Sequence, residues 1–137
     1  MALSFLVDTS VLKRLGRHEV RRVVESLADR GELARATICD LEVGYSPRNA
    51  VEWDELQLAL DAFAPVPTTA AHVGRALQVQ RLLAERSQRG RKIPDLLVAA
   101  AAEELSISVL HYDADFNLIS EVTGQPSQWV VPAGTID

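Results

Sequence analysis

At 137 residues, 47% hydrophobic and 24% charged, the chain has the make-up of one globular domain burying about two thirds of its unfolded surface. It contains no run of about eighteen apolar residues to cross a membrane, and no basic segment leading into a long apolar stretch and cleavage site at the N-terminus. A net charge of −5 argues against a polyanionic partner if the acids are evenly spread, and the single Cys39 excludes an internal disulfide, so a reducing cytoplasm is expected.

Leu3 to Val7 reads as a short buried strand, broken by Asp8. Residues 10 to 30 read as helix in two pieces around Gly16, with Val20, Val23, Val24 and Leu27 on one stripe and Gly31 as the stop. Leu33 to Thr37 is a second strand. Thr37 and Asp40 have capping-box spacing for a short helix that ends between Gly44 and Pro47. Residues 50 to 63 space Trp53, Leu56, Leu60 and Phe63 as the inward face of an amphipathic helix. Pro65 and Pro67 end it, a brief strand follows around Val66, and Thr68 or Thr69 caps a helix from Ala70 to about Ser87 with Val73, Leu77 and Leu83 inward. After the basic loop "RSQRGRK", Pro94 opens a helix through Leu105 whose Ala99 to Ala102 run permits close approach to a sheet. Ser108 to Tyr112 is a strand, Asp113 to Val122 a helix stopped by Gly124, and Gln128 to Val131 a last strand.

Strands separated by helices require crossover connections, so the expected fold is α/β with a mainly parallel central sheet flanked by helices, in one domain over residues 1 to 137. Ligands of such sheets bind beyond the carboxyl ends of the strands. Asp8 and the pair Asp113 and Asp115 fall at those ends, Asp95 falls in the first turn of a helix, and Glu42 lies on the short helix near the same rim. Each acid taken singly reads as a helix cap, a favourable charge at a helix start or a solvated side chain. Grouped, they repel by about 3 kcal/mol per pair at about 5 Å and an effective dielectric near 20. Protons or a hard divalent cation would relieve that repulsion, with Mg²⁺ or Mn²⁺ favoured by oxygen ligands. Zinc is disfavoured, since His18, His72 and His111 lack paired ligand spacing. Cys39 reads as a small buried side chain and not as a nucleophile.

The segments "VDTSVL", "ICDLEVGY", "IPDLLVAAAAEE" and "VLHYDADF", in this order and spacing, resemble the PIN-domain ribonucleases, and in particular the VapC-type toxins of bacterial toxin–antitoxin pairs. The resemblance runs from about Phe5 to Val131. It implies a metal-dependent endoribonuclease with one or two Mg²⁺ or Mn²⁺ ions, leaving 5′-phosphate and 3′-hydroxyl ends. By position, Asp8, Glu42, Asp95 and Asp113 match the family's acidic ligands and Asp115 a further acid beside them. Ser10, and less closely Thr9, matches a hydroxyl near the metal. His111 departs from the pattern, standing where many relatives place Thr or Ser. The family also implies a homodimer and a cognate small antitoxin protein as partner.

Arg86, Arg89, Arg91 and Lys92 precede Asp95, and Lys13, Arg14 and Arg17 follow Asp8, so two basic segments are expected to flank the acidic pocket, with Ser10, Arg89, Arg91 and Lys92 as substrate contacts. Aromatic residues make up 5%, too few for base stacking to be the main grip on RNA. Two other classes compete. A catalytically silent PIN-like module that binds RNA or protein would lack one of the acids, and all are present. A phosphotransfer domain with Asp8 as acceptor would want a lysine late in the chain, yet the only lysines are Lys13 and Lys92.

Overall fold

The computed structural model describes residues 2 to 136. Five strands, β1 (Phe5–Val7), β2 (Leu33–Ala36), β3 (Ala64–Val66), β4 (Ser108–His111) and β5 (Ser127–Trp129), form one sheet in the order β3-β2-β1-β4-β5. Every adjacent pair is parallel, with Leu6 opposite Ala34 on one side and Val109 on the other. The chain winds outward from β1 through β2 to β3, then crosses back to lay β4 on the other side of β1. The order therefore reverses between β1 and β4, the position at which open α/β sheets bind their ligands.

Among the described residues, seven helices cover the sheet: α1 (Thr9–Leu12), α2 (His18–Asp29), α3 (Thr37–Val43), α4 (Ala50–Leu60), α5 (Ala70–Glu85), α6 (Ile93–Leu105) and α7 (Asp115–Thr123). Leu6, Ala34 and Val109 point into an apolar layer shared with α5, α6 and α7. Their chain neighbours Val7, Leu33 and Leu110 point the other way, onto Val20, Val24 and Leu27 of α2. This alternation explains why the strands are apolar without a polar face: both sides are covered. The Ala99 to Ala102 run of α6 is buried, as its small side chains suggest.

Three local expectations are corrected. The capping box at Thr37 does not form. Ala36 is the N-cap of α3, the Thr37 hydroxyl instead accepts the Thr68 N–H at 3.0 Å, and Asp40 pairs with Arg35 Nε at 2.8 Å. Arg35 also donates to the carbonyls of Leu60 and Phe63, so one guanidinium ties α3 to the end of α4. In α4 the inward stripe fails: Trp53 is 45% exposed and Leu56 also faces solvent, leaving Leu60 buried in the helix and Phe63 just beyond it. In α5 the buried stripe is His72, Ala76, Val79 and Leu83, while Val73 and Leu77 are exposed. The true stripe has the same three-and-four spacing, rotated so that small Ala76 joins the alanines of α6 in one buried layer. Thr69 caps this helix by accepting the His72 N–H at 3.3 Å.

Candidate active site

Asp8 answers to two demands. Its N–H still belongs to the sheet, donating to the Leu110 carbonyl at 2.9 Å, and its carboxylate then starts α1 by accepting the Ser10 N–H on Oδ2 at 3.0 Å. The other oxygen, Oδ1, is buried and has no hydrogen-bond partner. Asp8 is 2% exposed and Asp95, in the first turn of α6, is 4% exposed. Asp95 Oδ2 is likewise buried with no hydrogen bond. A local cap accounts for one oxygen of Asp8 and none of the rest.

Asp113 follows β4 across the switch point, and its Oδ1 accepts the Asp115 N–H at 2.9 Å. Carboxylate oxygens of Asp95, Asp113 and Asp115 lie within 4.8 Å of one another. Glu42 reaches the same rim from α3, where its Oε1 accepts the Thr9 hydroxyl at 2.7 Å. A cleft of about 430 Å³ is lined by Asp8, Glu42, Asp95 and Asp113, together with Ser10 and Lys92. Asp115 stands at its edge, held by Arg91 Nη1 at 2.9 Å. Five acids from four separate stretches of the sequence thus meet at one end of the sheet.

Crowding and burial change how these acids ionise. Burial pushes the Asp8 carboxyl up, and nearby Glu42 and Asp113 add to that rise. Burial together with the charges of Asp8 and Asp113 raises Asp95 to about 8. Burial acts upward on Asp113 too, but the Lys92 ammonium and the Asp115 N–H outweigh it and hold Asp113 below its ordinary value. Beneath them His111 is fully buried, stacked on Phe116 and tilted against Trp129, and burial lowers it to about 4. Its Nδ1 accepts the Asp113 N–H at 3.1 Å, so this neutral ring orients the strand-end acid from below. Cys39 is buried beside the site with its thiol pushed up to about 12 by burial, which leaves it inert.

The basic residues divide. Lys92 reaches the acids, donating to Asp113, while Arg91 is engaged by Asp115. Arg89 does not line the acidic cleft; it borders a separate cavity with Leu83, Ile93 and Leu96. From the other flank, Lys13 and Arg14 line the cleft. Arg14 lies over the Tyr112 ring, 4.9 Å from its centroid, and donates to the Ser10 carbonyl at 2.8 Å. Tyr112 is a cleft residue that the sequence did not single out; its position directly before Asp113 was the available signal.

The PIN-domain family model matches residues 5 to 122. Ribonuclease VapC51 of Mycobacterium tuberculosis is 66% identical over the whole of both chains. The chain belongs to the PIN-domain family, among the VapC ribonucleases. Ribonuclease VapC21 of the same organism is 41% identical, over 98% of this PIN domain and 99% of the relative. Among solved structures, VapBC2 from Rickettsia felis bound to a DNA fragment from its promoter superposes with a TM-score of 0.75, covering 94% of this chain and 98% of that one at 15% identity. VapBC-1 from nontypeable Haemophilus influenzae gives a TM-score of 0.74 over 95% of this PIN domain and 98% of that chain, at 14% identity. Those two likenesses establish the shared fold. No helix among the described residues of this PIN domain is long and apolar enough to cross a membrane.

Proposed function

We propose that this PIN domain, a single domain over residues 1 to 137, is a divalent-metal-dependent endoribonuclease and the toxin of a toxin–antitoxin pair, acting in the cytoplasm. The observation that carries this reading is the pair of buried carboxylate oxygens that accept no hydrogen bond, Asp8 Oδ1 and Asp95 Oδ2, in a cleft whose metal-binding side chains are carboxylates. Leaving such groups unmatched is costly in any fold that does not use them. Carboxylate oxygens suit hard cations, Mg²⁺ or Mn²⁺, better than zinc.

Asp8, Glu42, Asp95 and Asp113 are the residues to hold one or two such ions, with Asp115 supporting the cluster from its edge. When bound, a divalent ion activates water as a nucleophile and offsets charge on the phosphodiester. The chain's own groups do the rest. Thr9 fixes Glu42 through its hydroxyl, His111 fixes Asp113 through its backbone N–H, and Ser10 offers its hydroxyl at the cleft wall. Lys92 on one flank, with Lys13 and Arg14 on the other, grips RNA phosphates beside the scissile bond. Arg91 and Arg89 serve RNA at longer range along the same loop. No serine or cysteine nucleophile is needed.

The partner reading rests on relatives solved as VapBC pairs and on an apolar surface here. Leu41, Tyr45, Val51 and Leu58 are exposed on and around α3 and α4, and they suit a small antitoxin or a second copy in a homodimer. The reading as a silent RNA- or protein-binding module is weaker, because such a module has no use for two buried carboxylate oxygens left without hydrogen bonds.

The test is cleavage of RNA by the purified chain with Mn²⁺ or Mg²⁺, and by Asp8→Asn and Asp95→Asn. Both variants should lose cleavage while keeping the parent's circular dichroism. Undiminished cleavage in the presence of excess EDTA, or by either variant, would overturn the assignment.

A further inference from the structure

Two consecutive cations from the loop before α6 press against the acids. Lys92 Nζ donates to Asp113 Oδ2 and stands 3.9 Å from Asp95 Oδ2, while Arg91 Nη1 donates to Asp115 Oδ1 at 2.9 Å. The oxygens these groups approach belong to the same three acids whose carboxylates lie within 4.8 Å of one another. Two of them, Asp95 and Asp113, are among the acids proposed above to hold a divalent ion, and Asp95 Oδ2 is buried with no hydrogen bond, as is Asp8 Oδ1 across the cleft. An ammonium seated on Asp113 and facing Asp95 occupies the space such an ion needs, and repels it at close range.

We propose that Lys92 and the divalent ion are competing occupants of the Asp95 and Asp113 carboxylates, so that ion binding expels the ammonium into the cleft, where it meets an RNA phosphate. This inference rests on the metal-dependent nuclease reading above and states how that site is regulated. The side chains divide the labour clearly. Those of Asp95 and Asp113 are 6% and 15% exposed, whereas that of Lys92 is 60% exposed. The acids are fixed by their surroundings and the lysine is the partner with room to leave. A lysine suits the task, being a compact charge on a flexible four-carbon stem.

The backbone allows the same division. Lys92 is the N-cap of α6 with an extended backbone, and Gly90, two residues earlier, sits at φ +84°, a conformation that glycine adopts without strain. Arg91 remains as the anchor of the loop through Asp115, while Lys92 moves by side-chain rotation alone. The consequence is a coupling. The ion must displace an internal cation, which weakens its binding, and in doing so it delivers a positive charge to the substrate side of the cleft. Ion and RNA then bind with positive cooperativity, because each favours the same displaced Lys92.

The experiment is a calorimetric titration of the full chain and of Lys92→Gln with MnCl₂, repeated with a short RNA that is not cleaved, such as one with a phosphorothioate or other blocked linkage. Lys92→Gln should bind Mn²⁺ about tenfold more tightly, the worth of one charge-assisted hydrogen bond removed from the competitor. The parent should bind RNA more tightly with Mn²⁺ than without, and Lys92→Gln should lose most of that gain. Lys92→Arg, which keeps the cation, should retain weak Mn²⁺ binding. Because Lys92 is largely exposed, the variants should fold, and circular dichroism checks this. Equal Mn²⁺ affinity in parent and Lys92→Gln would overturn the competition while leaving the metal site standing. Absence of Mn²⁺ binding in both would overturn the metal site and the competition together.

Discussion

The Ser10 hydroxyl accepts a hydrogen bond from the Tyr112 N–H at 2.9 Å, across 102 residues of chain. It ties Ser10, whose own N–H is held by the Asp8 carboxylate, to the backbone just before Asp113, and so sets the spacing of two acids on either side of the switch point. Parallel pairing of β1 with β4 brings the segments together, and this bond holds their ends in register.

Ser10→Ala removes that acceptor while leaving both acids in place. The partly buried Tyr112 N–H then lacks this partner, and the expected loss is about 1–2 kcal/mol of stability in urea denaturation. Cleavage should fall as well, since the separation of Asp8 and Asp113 is no longer held. Unaltered stability would show that the hydroxyl does not carry the join.

Asp95 makes ion binding depend on pH. Its folded value of about 8 lies above the ordinary 3.8, so between these values the folded chain keeps a proton that the unfolded chain has released. By linkage this group's contribution to stability is full below about pH 4, declines as pH rises, and is gone above about pH 8. An ion bound through this carboxylate must expel the proton, so Mn²⁺ affinity should rise by up to about tenfold per pH unit from about pH 6 to 8 and then level off. Calorimetry in buffers of different ionisation enthalpy would count the released proton, and a flat profile would remove Asp95 from the ligand set.

Gly44 governs how closely α4 rests on the helix that carries Glu42. Its backbone is ordinary, with φ −73°, so the need for glycine is one of space. A Cβ there would meet Trp53 Nε1 at 2.8 Å and the Asp40 carbonyl at 3.0 Å. Gly44→Ala should therefore displace the indole, shift the tryptophan emission, and cost about 1–3 kcal/mol from overpacking. Emission and stability that both match the parent would mean that the half-exposed Trp53 yields without strain.

Much of this protein follows from local pattern. The apolar run before Asp8, Pro94 ahead of a run of alanines and Gly124 past the last turn of α7 each specify an element boundary through backbone chemistry that acts within a few residues. The acids were legible for the same reason, since strand ends and helix starts of a parallel sheet share one rim. Which face of an element is buried was not. The stripes of α4 and α5 were each consistent with more than one rotation, and the choice depended on which neighbour came to lie against them.

Only the tertiary structure decided that Asp40 would serve Arg35 and not its own helix, that Thr9 would hold Glu42, that Arg89 would border a separate cavity, and that Lys92 would sit on Asp113. These pairings join residues from five to 33 positions apart through a strand order that runs β3-β2-β1-β4-β5. Hydrophobic period and capping chemistry decay within about one helical turn, whereas electrostatic and hydrogen-bond partners are chosen by proximity in space. The sequence by itself therefore determined the elements and the acids they carry, and the packing of the sheet determined what each acid faces.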